Sequence, residues 1–163
     1  MSKIKLLILL LVSFIFLSCT KDNPKQNNIK YSLGYIGGEY DGLMLKNLMK
    51  NYLLSFDLYD AKSNLDILPN ISHSSSLFIT NIDNTSDRMR VESVLMVKVS
   101  DKRFKCVTYK FEEKVSQFYI FADSRKYISN NRAEKKIKEQ NTETLVKEFI
   151  NKLMRSKGDC MIK

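Results

Sequence analysis

The feature that most limits what this chain can fold into lies at its start. From Leu6 to Leu17 only Ser13 interrupts an apolar run, and the run ends at Ser18-Cys19 before Thr-Lys-Asp-Asn-Pro24. A helix crossing the bilayer core needs about 20 apolar residues, with a lower limit near 17. The run is too short to span. It has the length of the apolar region of an export signal, and Lys3 and Lys5 supply the positive leader such a signal needs. Residues 1–18 are therefore expected to be removed, leaving 145 of the 163 residues to fold.

Ordinary signal cleavage wants small residues at positions −3 and −1, and the −3 residue before Cys19 is the bulky Phe16. Phe16-Leu17-Ser18-Cys19 instead resembles the bacterial lipobox, with Phe16 standing where Leu is usual. That resemblance implies cleavage between Ser18 and Cys19 and acylation of the Cys19 thiol. Each buried methylene contributes about 0.8 kcal/mol, and more than one acyl chain makes an anchor stable. Thr20 in place of Asp implies sorting to the outer membrane. Residues 19–30, rich in Lys, Asn, Asp and Pro, read as the acylated cysteine and a polar tether.

A remainder of this size suits one domain, 31–156, with a short tail, 157–163. The chain carries 27 Lys+Arg against 18 Asp+Glu; without Lys3 and Lys5 the balance is 25 against 18, a net +7. Between Arg125 and Lys157 stand ten Lys+Arg and four Glu, so this segment alone supplies +6. An anionic partner is expected to meet it, with Arg132, Lys135, Lys136 and Lys138 as the candidate contacts; a plain solvated face is the competing reading. Nucleic acid is not expected as that partner. The sequence has no zinc-ligand spacing, phosphate loop or aromatic-interleaved basic strand, and export removes the chain from the cytoplasm.

Catalytic signals are sparse, and the expectation is no enzyme, no cofactor and no metal. The single histidine, His73, stands in the serine-rich stretch 72–76, read as a turn, without a sequence sign of the acid that orients a catalytic imidazole. Gly34, Gly37, Gly38 and Gly42 lack the Lys-Ser/Thr of a phosphate loop and read as a strand-to-helix turn. Glu112 and Glu113 are adjacent on a strand pattern, so their carboxylates point to opposite faces. An oxidising periplasm permits Cys106 and Cys160 to form a disulfide. The sequence leaves the pairing open, since a cysteine in a strand is commonly a small buried apolar group.

Periodicity predicts a strand over 31–36 and a helix over 41–56 with Leu45, Leu48, Met49, Tyr52, Leu53 and Phe56 on one stripe. Residues 58–76, with Pro69 and the serine cluster, read as a long connection. Strands follow over 77–82 and 88–100, joined by a turn over 83–87, then a long alternating segment over 103–121, with a bend or bulge near Glu113–Ser116, or a division into two strands, expected. A last helix is expected from Ser129 to Ser156, kinked at Asn141-Thr142. The two stripes need one face of the sheet. The fold class is therefore α+β, a two-layer sandwich of a mixed, largely antiparallel four-stranded sheet with two helices packed on one face.

This order, behind a lipobox, resembles the lipopolysaccharide-assembly lipoproteins of Gram-negative outer membranes. The matching stretches are Leu45-Lys-Asn-Leu48, Met89-Arg-Val-Glu-Ser-Val-Leu-Met-Val-Lys-Val99, and Phe121-Ala-Asp-Ser-Arg-Lys-Tyr127-Ile-Ser-Asn leading to Glu143-Thr-Leu-Val-Lys-Glu-Phe-Ile-Asn-Lys-Leu153, roughly residues 19–155 in all. The segment after Cys19 departs from the family, lacking its short Gly-Phe and Pro-Leu-Tyr pattern. The resemblance implies a non-enzymatic, lipid-anchored protein facing the periplasm, a partner or plug of a β-barrel translocon that contacts lipopolysaccharide. An auxiliary lipoprotein of an ABC-type lipid transporter and a plain surface lipoprotein are the alternatives; a secreted hydrolase is the enzyme reading with least support.

Overall fold

The computed structural model describes residues 29–79, 87–121, 127–156 and 160. The signal, Ser18, Cys19, nearly all of the tether and the expected 83–87 turn, apart from Asp87, lie outside them. Four strands, β1 (Ser32–Leu33), β2 (Leu65–Ile79), β3 (Asp87–Asp101) and β4 (Cys106–Ile120), and two helices, α1 (Tyr40–Ser55) and α2 (Tyr127–Arg155), make up the domain. The sheet order is β1-β2-β3-β4. β1 runs parallel to β2, and the remaining neighbours are antiparallel. The fold is the expected α+β sandwich with a mixed sheet.

Alternation along β3 decides which face the helices cover. Val91, Leu95, Val97 and Val99 are at most 1% exposed, whereas Arg88, Met96 and Lys98, on the alternate positions, face solvent. One face is core and the other is wet. Ile67 of β2 and Phe111 of β4 join that inner face, and Leu45, Met49 and Leu53 of α1 close it with Leu145, Val146, Phe149, Ile150 and Leu153 of α2. Gly42, in the first turn of α1, meets the Gly37 carbonyl so closely that a Cβ would lie 2.2 Å from it. Only glycine fits this approach.

Five expectations fail, each for a definite reason. Residues 65–76 are not a loop: they form most of β2, paired rung for rung with β3. Pro69 is tolerated because Gly34 N donates to Ile67 O (2.9 Å), so odd-numbered backbone groups of β2 point to the β1 side. The two-residue β1 stops short of Pro69, and its missing N–H costs no ladder bond. The expected strand 31–36 likewise shrinks to that pair of residues, with a bridge from Tyr31 to Tyr59 before it.

β4 runs without interruption past Glu113–Ser116; the irregularity falls where Val99 faces Tyr109 but Ser100 faces Val107, leaving Thr108 as the extra residue. Thr108 Oγ1 donates to Val99 O at 3.2 Å. A bulge shifts side-chain parity. Val107 therefore opposes outward Ser100, and Cys106 opposes buried Asp101 on the helix side.

α2 runs unbroken through Asn141 and Thr142. Thr142 Oγ1 donates to Lys138 O (2.7 Å), a bond a helix accommodates. The tether also ends earlier than expected: Ile29 packs on the core, and Lys30 pairs with Asp57 at 2.5 Å.

Candidate functional site

α2 begins beside the start of α1, above the far ends of β3 and β4, and a cavity of about 450 Å³ opens between them. Tyr40 and Asp41 come from α1, Met89 and Tyr119 from the sheet, and Glu134, Lys135 and Lys138 from α2. Two of the four candidate cations thus reach one site. Lys138 is spoken for: its Nζ lies 2.8 Å from Glu134 Oε1 in an i,i+4 pair. Lys135 stands over the Tyr40 ring, 4.3 Å from its centroid. Tyr40 in turn donates its hydroxyl to Glu139 Oε1 at 2.7 Å. Arg132 and Lys136 are exposed and make no ion pair among the described residues. Of the four candidate cations Arg132, Lys135 and Lys136 are exposed, and the pocket that Lys135 and Lys138 line holds more acids, Asp41, Glu134 and Glu139, than lysines.

Glu134 ties the pocket to the sheet. Ser75 Oγ of β2 donates to its Oε1 at 2.8 Å. Burial pushes the Glu134 carboxyl up, but hydrogen bonds from Lys138 and Ser75 together with the Lys138 charge outweigh it, so the group sits below the usual carboxylate range.

Beneath the pocket lies a polar cluster. His73 is on β2, directly opposite Ser93, so the sequence reading of a serine-rich turn is corrected. His73 Nδ1 and Ser93 Oγ are 2.7 Å apart. Asn141 of α2 donates through Nδ2 to the same Ser93 Oγ (3.0 Å) and to Val91 O (3.3 Å). Ser93 Oγ accepts from Asn141 and also shares a hydrogen bond with His73 Nδ1, whose direction follows the imidazole tautomer. A serine on an imidazole is the start of a nucleophilic pair, yet Ser93 is 0% exposed and His73 Nε2 has no partner among the described residues. The trio joins β2, β3 and α2 and offers no hydroxyl to a substrate. No three His, Cys, Asp or Glu side chains among the described residues gather as metal ligands.

Sequence reasoning missed this trio, although two signals were present. Ser93 interrupts the inner row between Val91 and Leu95, and Asn141 falls four residues after Ile137 and four before Leu145 on the helix stripe. Polar residues at core positions imply partners.

His73 gives a pH prediction. Burial lowers its pKa first; the Asp41 charge raises it and the Lys138 charge lowers it. The unfolded chain then takes up a proton near the ordinary 6.5 before the native state does. Stability is full above that pH and falls as the pH drops through 6.5 toward the lower native value. Urea midpoints measured from pH 7.5 to 5 should decline for the wild type and decline less for His73→Gln; equal slopes would refute it.

At the opposite end of the sheet the structure joins Cys106 and Cys160 by a disulfide, with Cα atoms 5.8 Å apart. Glu113 reaches Lys152 on α2 while Glu112 stays exposed, so the two carboxylates do point to opposite faces.

No family model matches the sequence, and no curated protein matches it. Solved structures do share its fold. A minor lipoprotein from Acinetobacter baumannii aligns with a TM-score of 0.59 at 13% identity, over 77% of this chain and 90% of that one. A Caulobacter crescentus CB15 protein assigned as a lipoprotein gives 0.52 at 15%, over 78% and 88%. Rare lipoprotein B from Shewanella oneidensis gives 0.51 at 11%, over 78% and 96%. At such identities the likeness is one of architecture: this chain has the fold of these bacterial lipoproteins.

Proposed function

We propose that the chain is a non-enzymatic outer-membrane lipoprotein, acylated at Cys19 and facing the periplasm, that assists lipopolysaccharide transport and assembly as partner or plug of a β-barrel translocon. The observation that carries this reading is the element order, strand–helix–three antiparallel strands–helix, folded as in solved bacterial lipoproteins and set behind a signal and Cys19. The exposed cations at the start of α2 favour an anionic ligand there. Charge-assisted bonds from guanidinium or ammonium to phosphate are stronger than neutral ones, and Arg132 and Lys136 are the two of the four candidates without an internal competitor among the described residues.

Affinity purification of the mature, acylated protein from its own envelope tests both halves. The expected result is co-purification of a large β-barrel together with lipopolysaccharide, and several-fold less lipopolysaccharide with Arg132→Glu/Lys136→Glu. Recovery of an ABC-type transporter would replace the reading with the auxiliary-lipoprotein one, and recovery of neither machine with a plain surface lipoprotein.

A further inference from the structure

The pole of the domain where the chain enters carries a second surface, away from the cavity between the helices. Between β3 and β4 the chain turns through Lys102-Arg103-Phe104-Lys105. Phe104 is 68% exposed there, and Lys105 adopts the left-handed region at φ 49°, a conformation side chains rarely take. The turn is fixed to the start of the ordered chain. Lys102 N donates to Asn64 O (2.9 Å), and Lys102 Nζ lies 3.4 Å from Ser32 Oγ and 3.3 Å from Asp66 Oδ1. Ser63 Oγ, two residues before β2, donates to Lys30 O at 2.5 Å. The turn and the entry of the tether therefore share one pole.

Chain length says what faces that pole. Ile29 lies ten residue steps after Cys19, and at up to about 3.5 Å each these steps reach at most about 35 Å. Ile120, at the far end of β4, stands fourteen residues beyond Cys106, on the order of 45 Å along the strand. An anchored Cys19 holds the turn near the bilayer more readily than the far pole.

We propose that this turn is a lipid-contact site: Phe104 enters the headgroup layer of the membrane that holds Cys19, Lys105 meets anionic phosphates, and the domain stands on this pole. The inference rests on acylation of Cys19. Of the three cations in the turn, Arg103 is engaged with Asp101 (2.8 Å) and Lys102 with Asp66, which leaves Lys105 as the charge without an ion pair among the described residues. One aromatic ring and one such cation are too little to capture a soluble protein from solution. On a tethered protein they act at high effective concentration, and what they set is orientation.

The chain contains no tryptophan, so Phe104→Trp installs a single reporter. The acylated, full mature protein is placed in vesicles of phosphatidylethanolamine with phosphatidylglycerol as the anionic component. Indole emission from the Phe104→Trp protein should shift to the blue and lose roughly half its intensity when brominated acyl chains are used, as expected of a ring roughly 5–10 Å into the boundary. Ile120→Trp, at the far pole, should emit as in water and stay unquenched. Vesicles lacking phosphatidylglycerol should weaken the quench. The mass of the N-terminus is read on the same sample. Acylated protein with an unquenched reporter at position 104, or quenching at position 120 instead, overturns the inference while leaving the lipoprotein reading intact; an unacylated Cys19 overturns both.

Discussion

Phe149→Ala should lower the stability of the domain by about 3–5 kcal/mol, the largest loss expected from any single truncation in it. Phe149 is 0% exposed. Its ring meets Phe111 edge-on at 5.4 Å and lies 6.4 Å from Tyr109. It is therefore the side chain through which α2 grips β4. Truncation removes the transfer term, the aromatic contact and the support of both neighbours at once, and nothing on the outer face can collapse into the gap. For a domain of this size the melting temperature should fall by roughly 10 °C or more. Phe149→Leu, which keeps most of the volume, should cost under about 2 kcal/mol, and Phe104→Ala, at an exposed position, under about 0.5 kcal/mol. Urea unfolding followed by circular dichroism orders the three. A Phe149→Ala midpoint no lower than that of Phe104→Ala would show that α2 is not fastened here.

The same residues explain how far the sequence could be read. Strong period-2 and 3.6-residue patterns made β3, β4, α1 and α2 legible, because each buries one side and wets the other. β2 was opaque. Its residues 72–76 are four serines and a histidine, a composition that reads as a turn, and they form a strand because β3 supplies a complete ladder beside them. Tertiary pairing overrode local propensity, as it does where a weak strand lies against a strong one. Pro69 misled for a related reason: whether proline breaks a strand depends on which side its nitrogen faces, and that is fixed by the parallel pairing and two-residue extent of β1, which periodicity does not reveal.

The candidate site was legible in part. The charge count pointed to the helix that lines the cavity, but it could not separate Lys138, paired with Glu134 one turn away, from Arg132 and Lys136. The i,i+4 spacing of Glu134 and Lys138 is in the sequence and gives the sign of that correction. Tyr40 and Asp41 could not have been foreseen beside these residues of α2, since Tyr40 meets Glu139 across a sequence separation of 99.

Removing the Cys106–Cys160 disulfide should be the second large loss. The bond closes a loop over a sequence separation of 54, and constraining a loop of that length in the unfolded chain stabilises by about 4 kcal/mol in the chain-entropy account, within a usual range of about 2–4 kcal/mol. Its existence depends on the extra residue at Thr108. Strict alternation inward from Tyr109 would put Cys106 on the wet face, away from the end of α2; the register shift after Val99 turns it to the helix side instead. The cysteine, the bulge and the tail are one device, which pins the chain beyond α2 to the first rung of β4. Oxidised wild type should therefore unfold at a clearly higher urea concentration than Cys106→Ser/Cys160→Ser, and reductant should bring the wild type down to the variant without moving the variant. Amide exchange should quicken in the last turn of α2 and the first rungs of β4 and change little at Val91 or Leu95. Identical midpoints for oxidised and reduced wild type would mean that the core holds this end without its staple. In that case Phe149 and its neighbours would carry the attachment of α2 alone.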